Sequence, residues 1–358
     1  MDLTAFLKKY DAPMRDYVAL SAACGARADY VQGGGGNTSV KLDERLMAIK
    51  ASGYRLGQVG MDDGYAVLDF ANIKAFYQGT DPATLADVEA QGSAQAKANT
   101  LSIDGLKALR PSVEAGFHSL LSRFVLHSHS VYANLVCCCK DGQAQAEKAL
   151  EGAPFDYCFV PYINPGANLT FSVAAALKRA QEEGKHPSVI LLQNHGPIVH
   201  NDDVKACAAI HDELNSRIAK HFGVSAADFP QIDIEEKHDG FISNTPWLRE
   251  KLRSGKYDKK NLCETALYPD QLVFLANSVA FSCDARGEQK ECVICPDSGE
   301  VTYHCSQSVA LTIEQTLCAV ICIHEWLTNA GQVVTSMSDS SKAFIASWES
   351  EKHRKSLA

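Results

Sequence analysis

Phe124-Val125-Leu126-His127-Ser128-His129 is the stretch whose reading decides the fold. An apolar run that ends in two histidines one residue apart reads as a β-strand. In a strand, side chains at i and i+2 point to the same face, so His127 and His129 would share one face and Ser128 would point the other way. A helix would turn the two histidines about 200° apart. A second apolar run, Val189-Ile190-Leu191-Leu192, reads as a strand delivering Asn194-His195-Gly196. His195 then offers a third imidazole. Three histidines with one open coordination position is the pattern of a catalytic zinc site. Imidazole also suits cobalt, nickel, iron and manganese, so another divalent metal fits the same donors.

Thirteen residues before His127 stands Glu114, in a helix that Pro111 opens and that is expected to run to about Arg123. A carboxylate in a first helical turn is favoured by the helix dipole alone. Beside a metal, the same carboxylate could instead serve as a general base. Gly33-Gly34-Gly35-Gly36-Asn37-Thr38-Ser39 is glycine-rich but lacks the Gly-Lys-Ser/Thr ending of a P-loop, and it does not fit Gly-x-Gly-x-x-Gly. A hairpin follows it, with strands at Ser39–Leu42 and Leu46–Ile49 and a turn at Asp43-Glu44, which argues against a nicotinamide site. The remaining readings are a flexible turn or a cradle of backbone N–H groups for an anion, with Asn37, Thr38 and Ser39 as side-chain donors. Ser52, Gly53 and Ser112 are further candidates, although capping would also explain Ser112.

The 358 residues suffice for one large domain or two ordinary ones, and 46% hydrophobic with 22% charged residues is a globular composition. A net charge of -9 without a basic block excludes nucleic acid as an expected partner. No apolar stretch is expected to span a bilayer, and the N-terminus does not read as a secretory signal. The 13 cysteines, an odd number scattered through apolar runs, suit reduced thiols and a cytoplasmic location. Cys292-x-x-Cys295 with Cys305 is read as buried thiols and not as a second zinc site.

Elsewhere, helices are expected at 13–28, 131–138, 143–151, 168–183, 202–222 and 308–329, and a strand at Tyr157–Val160. A loop with a short helix covers 78–104. Pro197 to Val199 reads as a continuation of the strand that delivers His195. A polar stretch at 231–261 reads as a boundary. Beyond it, Gln271–Leu275 and segments near Ser282, Cys292–Cys295 and Val301–His304 read as an antiparallel meander. Its turns fall at Ala285-Arg286-Gly287 and Asp297-Ser298-Gly299. A frayed tail starts at 349.

Taken in order, Gly-Gly-Asn-Thr-Ser, Ala-Ser-Gly, Pro-Ser-x-Glu-x-x-x-His, His-x-His, Pro-Tyr and Gln-Asn-His-Gly resemble the class II aldolase/adducin family over roughly residues 12–225. Its members include fuculose-phosphate and rhamnulose-phosphate aldolases and ribulose-phosphate 4-epimerase. The resemblance implies a three-layer α/β/α sandwich around a mostly antiparallel sheet, assembled as a tetramer. It implies zinc on His127, His129 and His195, acid/base work by Glu114, and a phosphate site at Gly36, Asn37, Ser52, Gly53 and Ser112. The sugar-phosphate aldolases often carry two serines before the glutamate; here the second is Val113. Tyr162 matches a family position near the sheet. The implied activity is metal-dependent retro-aldol cleavage of a ketose phosphate or related hydroxy-carbonyl sugar. A 4-epimerase, a sugar-acid decarboxylase or a non-catalytic adducin-like assembly protein are the alternatives. Residues 1–230 would form the catalytic domain and 231–358 a small α+β C-terminal extension.

Overall fold

In the computed structural model, which describes residues 1–284 and 290–347, an eight-stranded sheet forms the centre. Its strands are β1 (Asn37–Lys41), β2 (Leu46–Lys50), β3 (Tyr65–Asp69), β4 (Thr100–Leu101), β5 (Phe124–His127), β6 (Asp156–Val160), β7 (Pro187–Leu192) and β8 (Gly196–Asn201). They lie in the order β4-β3-β2-β1-β5-β8-β7-β6. Every neighbouring pair is antiparallel except β6 with β7. The hairpin β1–β2 was legible from the turn at Asp43, whose carboxylate accepts from the main-chain N–H groups of Arg45 and Leu46.

Strand alternation sorts the apolar side chains onto two faces. Phe124, Leu126, Val189 and Leu191 face one core, shared with Tyr17 and Leu20 of α1 (Leu3–Gly25). Val125, Ile190, Leu192 and Ile198 face a second core, shared with Phe117. The first face is covered by α1, α5 (Ala133–Cys137), α6 (Gly142–Ala149) and α8 (Val204–His221). The second is covered by α2 (Phe70–Gly79), α4 (Ala115–Leu120) and α7 (Ala167–Glu182), while α3 (Val88–Ala98) packs against α7. Period-2 patterning therefore places one helix layer on each side of the sheet.

Three local expectations change. The helix expected from Pro111 to Arg123 forms only over Ala115–Leu120, and Glu114 stands at its N-cap position with φ -89° and ψ 2°, outside the first turn. The strand expected to continue through Pro197 instead reverses: β7 and β8 form a hairpin, with Leu192 opposite Gly196. Asn194 at φ 51° and Gly196 at φ 153° make that reversal, and both residue types tolerate such angles better than most. Helix α1 begins ten residues earlier than the expected 13, bridging Pro13 with a break at Tyr10.

The second sheet comprises β9 (Ile234–Lys237), β10 (Gly240–Ser243), β11 (Val279–Phe281), β12 (Cys292–Ile294) and β13 (Val301–Tyr303), in the order β11-β12-β13-β10-β9. The polar stretch read as a boundary thus contributes a hairpin and α9 (Pro246–Arg253). The expected meander is corrected in two places. Gln271–Leu275 belongs to helix α10 (Pro269–Leu275), because a short apolar run does not distinguish strand from helix and Pro269 with Asp270 forms a helix start. Strands β11 and β12 pair in parallel. The turn expected at Ala285-Arg286-Gly287 and the tail from 349 lie outside the described residues.

Helix α11 (Gln307–Asn329) is long and apolar enough to cross a bilayer, contrary to expectation, and 67% of its apolar window is buried inside the protein. Its Ile313, Leu317 and Ile321 join the core that covers the first sheet face. Its buried Glu314 accepts from the hydroxyls of Tyr303 and Ser243. Helix α12 (Asp339–Ser347) packs against α10. Cys283 and Cys295 form a disulfide, so the expectation of reduced thiols fails for that pair, and Cys295 is no metal ligand. The other eleven cysteines are free.

Candidate metal centre

His127 ends β5, opposite Asn37 of β1 and Ile198 of β8. Its Nδ1–H donates to the Pro197 carbonyl at 2.9 Å, which leaves Nε2 as the lone-pair end of the ring. Burial pushes His127 below the ordinary histidine range and so favours that neutral form. Ser128 points to the other face, as alternation requires, and its Oγ lies 2.8 Å from His211 Nε2 on α8. The strand stops at His127, so His129 joins from the following loop and not from the pleat. His129 Nδ1 meets the carboxylate of Asp270 on α10. His195 comes from the β7–β8 turn.

The three rings converge. His127 Nε2 lies 3.2 Å from His129 Nε2 and 3.3 Å from His195 Nε2, and all three side chains are buried. Lone pairs facing one another at this spacing repel unless a cation sits among them. About 3.3 Å is also the nitrogen–nitrogen edge of a tetrahedron with metal–nitrogen bonds of about 2.05 Å. Donor type and spacing, with the His127 tautomer, therefore fit a divalent metal. Glu114 Oε1 stands 3.4 Å from His127 Nε2 and 3.6 Å from His195 Nε2. The carboxylate is thus close enough either to complete the ligand set or to reach a substrate beside it.

Gly36, Asn37, Ser52, Gly53 and Ser112 line the same cavity as Glu114, His129 and His195. Gly36 sits at φ 68°, where an added Cβ would come within 2.8 Å of the His127 carbonyl oxygen. Ser112 Oγ accepts from the Glu114 N–H at 3.2 Å, just before α4. Thr38 does not belong to the site. It follows Asn37 in β1, so it faces the opposite core, where its Oγ1 lies 2.7 Å from Ser21 Oγ. Val113 lines the cavity and has no polar side chain to offer it. Tyr162 packs toward Met337 and Ile345, and its N–H donates to Gln193 Oε1.

Two further residues of the site escaped the sequence reading. Lys50, 3% exposed at the end of β2, lines the cavity and donates to the Tyr54 carbonyl at 2.5 Å. A lysine closing an apolar strand was its available signal. Asp270 is fully buried, and no local pattern pointed from it to His129, which lies 141 residues away.

This architecture and this cluster define an α/β protein built around a three-imidazole centre with an adjacent carboxylate. Residues 16–219 match the family described as Class II Aldolase and Adducin N-terminal domain, and the chain belongs to that family. Among solved structures, the N-terminal class II aldolase domain of a conserved protein from Thermoplasma acidophilum is 26% identical, with TM-score 0.47, covering 57% of this chain and 91% of that one. YgbL from Klebsiella pneumoniae, a putative aldolase/epimerase/decarboxylase, is 19% identical, with TM-score 0.40, covering 59% and 88%. An L-fuculose 1-phosphate aldolase is 18% identical, with TM-score 0.41 and the same coverages of 59% and 88%. No curated protein matches the chain.

Proposed function

We propose that this protein is a metal-dependent lyase of the class II aldolase type. It cleaves a ketose phosphate or related hydroxy-carbonyl sugar by retro-aldol chemistry through an enediolate. The observation that carries this reading is the convergence of three imidazole Nε2 atoms beside the Glu114 carboxylate. We assign His127, His129 and His195 as ligands of zinc. When bound, such a cation supplies Lewis-acid polarisation of a carbonyl oxygen.

The chain's own residues do the rest. The Pro197 carbonyl and the Asp270 carboxylate hold His127 and His129 with Nε2 toward the centre. In the cleavage direction the hydroxyl on the scissile bond gives up its proton as the C–C bond breaks and the aldehyde forms, and Glu114 delivers a proton to the carbon next to the carbonyl; both transfers reverse in the addition direction. Burial of Glu114, at 8% exposed, keeps bulk water from that carbon. Gly36, Asn37, Ser52, Gly53 and Ser112 hold the anionic end of the substrate, and the Lys50 ammonium adds positive charge to the same cavity. Assembly as a homotetramer rests on the family resemblance. A cytoplasmic location rests on the thiol-rich composition alone.

The test is metal analysis of protein purified without chelator, combined with a panel of ketose phosphates and sugar acids. Each substrate is assayed for aldehyde release against isomer formation. We expect stoichiometric metal and aldehyde release, both lost in His129→Ala. A metal-free wild type whose behaviour His129→Ala leaves unchanged would overturn the enzyme reading.

A further inference from the structure

We infer that Asp270 is a positioning residue of the metal centre, so that a segment beyond the family-matched residues 16–219 completes the site. The inference rests on the metal reading of His127, His129 and His195. Asp270 is 0% exposed and His129 2%, and the carboxylate Oδ2 accepts from the His129 Nδ1–H. A buried carboxylate is costly unless hydrogen-bonded. Here the bond fixes the ring so that Nε2 points at His127 Nε2, 3.2 Å away. A metal-bound imidazole whose far N–H is held by a carboxylate is better oriented and more basic.

Two further contacts tie the same short segment to the site. The Leu267 carbonyl accepts from Asn194 Nδ2 at 2.8 Å, and Asn194 directly precedes His195. Residues 267–270 therefore secure the loops of two of the three ligands. From the other side, a Cβ at Gly35 would lie 2.2 Å from Asp270 Oδ2 and 2.8 Å from His129 Nδ1. Glycine at that position leaves room for the histidine–carboxylate pair. The glycine-rich run thus serves the metal ligands as well as the anion side of the cavity.

The experiment measures zinc affinity of the apo full-length protein by competition with a chromophoric chelator, alongside its thermal midpoint. The variants are Asp270→Asn, Gly35→Ala and Tyr303→Phe. The last loosens the C-terminal segment at its bond to Glu314 without touching the site. Asp270→Asn should bind zinc about 10–100-fold more weakly, the usual scale for a partner of a metal-bound histidine. Gly35→Ala should weaken it in the same direction, and Tyr303→Phe should leave it unchanged. A folded Asp270→Asn with wild-type affinity overturns the inference, and so does an equal loss in Tyr303→Phe. Should Asp270→Asn fail to fold, Gly35→Ala decides: wild-type affinity there overturns the inference. A wild type that binds no zinc overturns the metal reading itself. A wild type that binds zinc no better than Asp270→Asn overturns this inference alone.

Discussion

Glu114→Gln separates proton transfer from everything else the site does. The amide has the shape of the carboxylate, and the Glu114 main-chain N–H keeps its bond to Ser112 Oγ at 3.2 Å. The fold should therefore keep its stability. The three imidazole nitrogens are untouched, so at saturating zinc the variant should carry a full complement of metal. What disappears is a basic oxygen 3.4 and 3.6 Å from two of those nitrogens. An amide does not take up a proton at neutral pH, so kcat should fall by about 10²–10⁴, or about 2.7–5.4 kcal/mol in barrier height. KM should move little, because the residues assigned to the anionic end remain. The assay is single-turnover release of aldehyde from the ketose phosphate found in the substrate panel, with zinc measured on the same sample. Turnover close to wild type at full metal content would remove Glu114 from its acid/base role. Loss of the metal from a folded variant would make it a ligand and refute the reasoning just given.

Two further outcomes concern stability. Burial holds His211 down to a pKa of about 4, against an ordinary 6.5. Between those values the unfolded chain binds a proton there and the folded chain does not. The His211 contribution to stability should therefore drop by about 3 kcal/mol as pH falls through this window, and level off below it. Urea titrations of the apo protein and of His211→Gln check this; identical pH dependence in the two would refute it. Gly196→Ala should cost about 2–3 kcal/mol. It forces a side chain onto φ 153° and brings its Cβ within 2.3 Å of the Ser128 carbonyl oxygen. A urea midpoint equal to wild type would show that the β7–β8 turn relaxes freely.

Much of the N-terminal half was legible because its signals are local. Alternation in Phe124–His127 placed His127 and Ser128 on opposite faces, and Ser128 indeed meets His211 across the first core. The same alternation turns Thr38, between Asn37 and Ser39, away from the cavity and toward Ser21, although all three side chains are polar. The continuation drawn through Pro197 failed because an apolar run on both sides of Asn-His-Gly looks like one strand. Reversal depends on two backbone angles, at Asn194 and Gly196, that composition alone does not reveal. The C-terminal half was less legible. Its elements β11, β12, β13 and α10 are only three to seven residues long, too short for either period to show.

By itself the sequence offered the three imidazoles that the fold gathers and determined which side chains within a strand share a face, because a two-residue period acts between near neighbours. Only the tertiary structure brought Asp270 to His129 across 141 residues, set Leu267 against Asn194, and carried His195 back toward His127. Those contacts arise where separate elements pack against one another. Packing between segments distant along the chain leaves no periodic trace in either of them.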